Sequence, residues 1–218
     1  MFTVVSSSWL TKTLWVKKRL RKRRSKKRCN LVQGLDIVKT KLNKGDAFLI
    51  FTSADASAFN SLIVKLLRDV VSKKHSPVVY LCIDKPFRGI KRLLDKEHID
   101  SSAIIFIDAV TLMTGNKGEG TNCRYLRSPE NLTDMSIALS EAVSSLSPSK
   151  VYVIVDSLST LLLYNKMTTV VKFAHILTAK IKQYGAKGLV MSSKGDSADI
   201  FIDQIFKFFD KVIDLSGG

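Results

Sequence analysis

The sequence is poor in cysteine and histidine and has no apolar run long enough to span a membrane. Three cysteines (Cys29, Cys82, Cys123) and three histidines (His75, His98, His175) are scattered over 218 residues without a paired spacing. That argues against a zinc site and fits a reducing cytosol. Cys82 lies inside an apolar run and reads as a small core residue. No apolar run approaches the ~20 residues of a transmembrane helix. The N-terminus lacks the layout of a signal peptide, because its charge follows the apolar residues instead of preceding them. A cytoplasmic chain is expected.

Acidic residues are missing from the first 33 positions, which carry eleven Lys/Arg. The whole chain has a net charge of +16, yet the remaining 24 basic and 19 acidic residues give only +5. The excess therefore belongs to an N-terminal arm, residues 1–33. Lys17, Lys18, Arg19, Arg21, Lys22, Arg23, Arg24, Lys26, Lys27 and Arg28 cannot share a core, and the arm is expected to be flexible. Aromatic residues ahead of a polybasic run suit an anionic membrane surface, at about 1 kcal/mol per basic residue. They suit a phosphate backbone equally well. A non-specifically sticky tail is the plainer alternative.

From Gly34 to Gly218 strands and helices alternate as one domain, in a chain long enough for a substantial core. Apolar, β-branched runs end at Phe51, Ile83, Ile107, Val155, Met191 and Leu215, and predict six strands. Helical spacing follows most of them, best in Met167 to Tyr184, which Gly185 stops. The pattern predicts a three-layer α/β fold with a mostly parallel central sheet covered on both faces. A polar, glycine-bearing loop, 114–128, is long enough to be functional.

The first unit has the frame of a phosphate-binding P-loop: an apolar strand, a tight loop and a core-facing helix. The loop chemistry is absent. Ser53-Ala54-Asp55-Ala56-Ser57-Ala58-Phe59-Asn60 contains neither the glycines that let backbone N–H groups reach phosphate nor the lysine that follows them. Asp84, Asp108 and Asp156 each stand where a strand ends, the side on which ligands bind in such sheets. For Asp108, a helix cap or turn is the expected role. Asp156 is more specific, since Val-Tyr-Val-Ile-Val-Asp-Ser has the form of a Walker B strand, whose carboxylate holds nucleotide-bound magnesium.

Asp156 to Leu161 resembles the Walker B segment of RecA-superfamily ATPases of the KaiC-like group. Gly34-Leu35-Asp36 with Lys44-Gly45-Asp46 is similar to their lead-in before the P-loop strand. Ser128 to Thr133 resembles a divergent, mainly archaeal signal-transduction branch with an inactivated site. The resemblance covers residues 31–218 and implies a RecA-like P-loop NTPase fold. It places the P-loop lysine on Phe59, its Ser/Thr on Asn60, and its glycines on Ser53, Ala56 and Ala58. Asp84 matches the water-orienting acid loosely, and Asp156 matches the magnesium ligand.

Phosphoryl transfer depends on positioning and on cations at the phosphates. Phe59 removes the cation, and Asp55 adds repulsion of about 4 kcal/mol per charge pair at ~4 Å and an effective dielectric of ~20. The helix dipole returns only ~0.3–1 kcal/mol. The expectation is a non-catalytic signalling or scaffolding module that pairs with itself or with a protein partner, with no catalytic residue and no cofactor. The alternative is an ATP-binding switch or weak ATPase in which Asn60 and Asp156 hold Mg·ATP, working with Asp84 or with Lys194 as a replacement cation. A third reading makes the arm a nucleic-acid or anionic-membrane binder, with the chain peripheral to the membrane.

Overall fold

The computed structural model describes residues 31–52, 56–73, 75–193 and 196–215. The arm before Leu31, the loop residues Ser53, Ala54 and Asp55, and Lys194 lie outside them. Helix α1 (Leu31–Lys41) leads into β1 (Ala47–Thr52) and α2 (Ala56–Leu67), which a π-helical turn extends over Arg68–Lys73. Then come β2 (Val78–Cys82), α3 (Phe87–Lys96), β3 (Ile104–Asp108), β4 (Cys123–Tyr125) and α4 (Leu132–Ser144). β5 (Tyr152–Val155), α5 (Met167–Tyr184), β6 (Lys187–Ser193), α6 (Asp196–Ile205) and β7 (Lys211–Asp214) complete the chain.

The strands form one sheet in the order β4-β3-β2-β5-β6-β1-β7, and every pairing is parallel. Alternate residues of each strand feed opposite faces, as the two-residue period of a strand requires. Ala47, Leu49 and Phe51 of β1 belong to the apolar layer that also holds α4, α5 and α6, whereas Phe48 and Ile50 belong to the layer of α1, α2 and α3. The result is two apolar layers, one on each side of the sheet. Each fully buried aliphatic side chain in them contributes ~1.5–3 kcal/mol, and residues such as Leu49, Leu67, Ile90 and Val170 are sealed from solvent.

Local signals set the helix ends. Asn131 caps α4 by accepting the Asp134 N–H at 3.1 Å. Gly185 closes α5 in the left-handed region at φ 63°, and the next N–H, of Ala186, returns to the Ile181 carbonyl.

Two features depart from the sequence reading. Strand β4 lies inside the segment read as a loop, because three residues with Arg124 at their centre carry no apolar run. Helix α1 begins at Leu31, so the boundary drawn at Gln33 falls within it. Among the described residues no helix is long and apolar enough to cross a membrane.

Candidate functional site

The connection after β2 runs outward to β3, while the one after β5 runs the other way, to β6. The crevice between the carboxyl ends of β2 and β5 is therefore the switch point where an open parallel sheet offers a ligand site. Asp156 leaves β5 there, fully buried. Its Oδ1 accepts the backbone N–H of Ile83 at 2.7 Å and of Asp84 at 3.0 Å, and its Oδ2 accepts that of Lys85 at 3.3 Å. The carboxylate stitches the β2 exit loop to the end of β5, across the mouth of the crevice.

Burial pushes the Asp156 carboxyl up to about 7, and the nearby Asp84 carboxylate adds to the rise, against the downward pull of the three N–H donors. Around it the end of β5 is knitted by hydroxyls. Ser157 and Thr160 are bonded at 2.8 Å, and Ser159 meets both Ser157 and Ser193. Asp84 is exposed and reaches Thr160 at 3.4 Å.

On the other wall α2 presents Phe59 and Asn60. Phe59 is buried among the apolar residues of the α1–α3 face. The Lys85 ammonium stands 4.9 Å from the centre of its ring and donates to Asn60 Oδ1. Lys85 thus joins the two residues matched to the nucleotide site: its N–H faces Asp156 and its side chain occupies Asn60. The sequence alone singles out Asp84 in this loop, not Lys85. Only the Lys85-Pro86 step is a local signal there, since a residue before proline is biased toward an extended conformation.

Asp108 is buried as well, and its bonds are structural. It accepts the N–H of Phe87 (2.6 Å), Val110 (2.7 Å) and Thr111 (2.8 Å) and the Thr111 hydroxyl (2.7 Å). This is the capping and turn role expected of it. Cys82 is buried with its thiol pushed up by burial, in keeping with a core residue. Among the described residues no three His, Cys, Asp or Glu side chains gather as a metal site.

A family model matches residues 45–215, from the turn before β1 to the last strand. The chain belongs to DUF7504, a family of unknown function. No curated protein matches the sequence. Among solved structures, a KaiC-like protein from the hyperthermophilic archaeon Pyrococcus horikoshii superposes with a TM-score of 0.53 at 11% identity, over 69% of this chain. This chain spans only 64% of that protein's length. An uncharacterized protein of the same organism, solved in complex with an unknown peptide, superposes with a TM-score of 0.62 at 16% identity, over 83% of this chain and 82% of its own. At these identities the likeness shows the fold alone: this DUF7504 member has a RecA/KaiC-like fold.

Proposed function

We propose that this chain is a non-catalytic RecA/KaiC-like domain of the inactivated type, a signalling or scaffolding module that works through protein contacts. The observation that carries the reading is the use of Asp156. A magnesium ligand needs lone pairs facing solvent and phosphate, but this carboxylate points both oxygens at backbone N–H groups and is closed off from water. Asn60 Oδ1 is likewise taken by the Lys85 ammonium, and Phe59 is apolar core. These residues do not fit Mg·ATP. A cation entering would have to displace an ammonium and free a carboxylate that holds a loop together. The peptide found with the second structural neighbour is in keeping with a contact-making role for this architecture.

Thermal unfolding with and without excess Mg·ATP tests the proposal. A nucleotide at 100-fold over its Kd would add about 2.7 kcal/mol, a rise of several degrees in Tm at this size. An unchanged Tm is expected, and a rise of that order would overturn the reading. The polybasic arm supports a second, compatible role in binding nucleic acid or an anionic membrane. DNA and anionic-vesicle affinities measured with and without residues 1–30 check it, and equal affinities would refute it.

A further inference from the structure

Where a helix commonly packs in a parallel crossover, the chain from β3 to β4 holds only a single 3-10 turn (Leu112–Thr114) and an irregular strap, and a cleft of about 820 Å³ opens between this strap and α3. Its floor is Phe87, Val110 and Tyr125. Arg88, Lys91 and Arg92 line one wall from the first turns of α3, and Lys117 stands on the other with Glu119. Four cations therefore face one carboxylate. Lys91 pairs with Asp95, while Arg88, Arg92 and Lys117 are exposed and have no ion pair within the described residues.

The cleft is built in advance of any occupant. Asp108 ties the first N–H of α3 to the 110–111 turn, which fixes the two walls at one end. The Tyr125 hydroxyl donates to the Glu119 carbonyl and accepts the Glu119 N–H at 3.0 Å, which straps the far wall down. At two glycines the strap lies too close to the floor for a side chain. A Cβ at Gly118 would stand 2.4 Å from the Tyr125 ring, and one at Gly120, whose φ is +118°, 2.8 Å from Phe87. Phe87 and Tyr125 meet edge to face, with ring centres 6.4 Å apart.

We propose that this cleft is the docking surface for an acidic peptide segment bearing an apolar anchor residue. The assignment rests on the non-catalytic reading above and names its partner chemistry. Arg88 and Arg92 are one helical turn apart, about 6 Å along the axis at ~1.5 Å per residue. Alternate residues of an extended peptide at ~3.3 Å each recur at about 6.6 Å on one side, so acidic side chains two apart meet both arginines. The residue between them turns toward the opposite wall, and an aromatic or aliphatic side chain next along reaches the Tyr125 and Val110 floor. Cations on an exposed rim above an apolar floor suit such a segment. A small phosphate compound would need its donors converging inside the cleft instead.

Selection of phage-displayed random dodecapeptides on the full chain tests this, followed by fluorescence polarisation of the most enriched peptide labelled with fluorescein. The expected consensus is acidic with an aromatic or aliphatic anchor, and binding weakens with added salt. The double substitution Arg88→Glu with Arg92→Glu is expected to weaken binding at least tenfold, and Arg88→Lys with Arg92→Lys to retain most of it. Both arginines are exposed, and far-UV circular dichroism checks that each variant is folded. The basic arm is present in all forms, so attraction by the arm is the same in each. No enrichment, a neutral or basic consensus, or equal binding to wild type and the Glu variant would overturn the proposal. A Tm rise with Mg·ATP alongside normal peptide binding would sink the non-catalytic reading and leave the cleft standing. Failed peptide binding with an unchanged Tm would do the reverse.

Discussion

Replacing Asp156 by asparagine keeps the shape of the side chain and removes its titration, which makes the buried carboxyl measurable. In the unfolded chain this group ionises near its ordinary 3.8, and in the fold burial lifts it to about 7. A raised folded value means that the stability the group contributes is fully present below about pH 4. That stability is lost as pH rises through 7. At ~1.4 kcal/mol per pH unit between the two values, the full swing is about 4 kcal/mol. About 3 kcal/mol of it falls between pH 4.5 and pH 8 by the same linkage.

The amide of the Asp156→Asn variant would still offer one oxygen to Ile83 and Asp84, but it turns a donor toward the Lys85 N–H. The variant is therefore expected to be the less stable protein in acid and to gain on wild type as pH rises. Urea unfolding at a series of pH values measures this. Far-UV circular dichroism is the better signal, because both tryptophans, Trp9 and Trp15, lie in the arm. Parallel pH curves for the two proteins would refute the assignment of the titration to Asp156. A wild-type curve flattened by added Mg²⁺ would show the carboxylate acting as a metal ligand and would refute its structural role.

Asp108→Ala strands three N–H donors and one hydroxyl that the carboxylate now satisfies. At ~1–3 kcal/mol for the buried Phe87 N–H and about 1 kcal/mol for each of the three part-buried donors, a loss of about 4–6 kcal/mol is expected, read as a fall in the urea midpoint, with weaker peptide binding because both cleft walls hang from that residue. Lys85→Met removes the bond to Asn60 and the cation over Phe59, on a half-buried side chain. A cost of about 0.5–1 kcal/mol is expected, with no Mg·ATP-dependent rise in Tm, since Phe59 remains; a rise would show that the lysine alone had kept nucleotide out.

Much of the architecture was legible in the chain because parallel strands buried on both faces must be apolar throughout. AFLIF in β1, VVYLC in β2 and YVIV in β5 announce themselves whatever surrounds them. α5 is equally plain, with a long periodic face and a glycine stop. Strand β4 was not legible: its three residues are held by pairing with β3 and by the Tyr125 hydroxyl on Glu119, and neither contact leaves a local pattern.

The fate of the matched residues was not local. Asp156 looks like a metal ligand in its own segment, and only the approach of the 83–85 backbone, about 70 residues away, gives its oxygens to N–H donors. The same holds for the cleft. Arg88, Arg92 and Lys117 are ordinary surface cations in the sequence, and they face one apolar floor only because α3 and the strap fold onto the same edge of the sheet. The sequence by itself determined which residues are buried, since hydrophobic transfer depends on composition and period. The partners of each polar group were decided by the tertiary structure, because a hydrogen bond depends on ångström-scale positions set by the whole sheet.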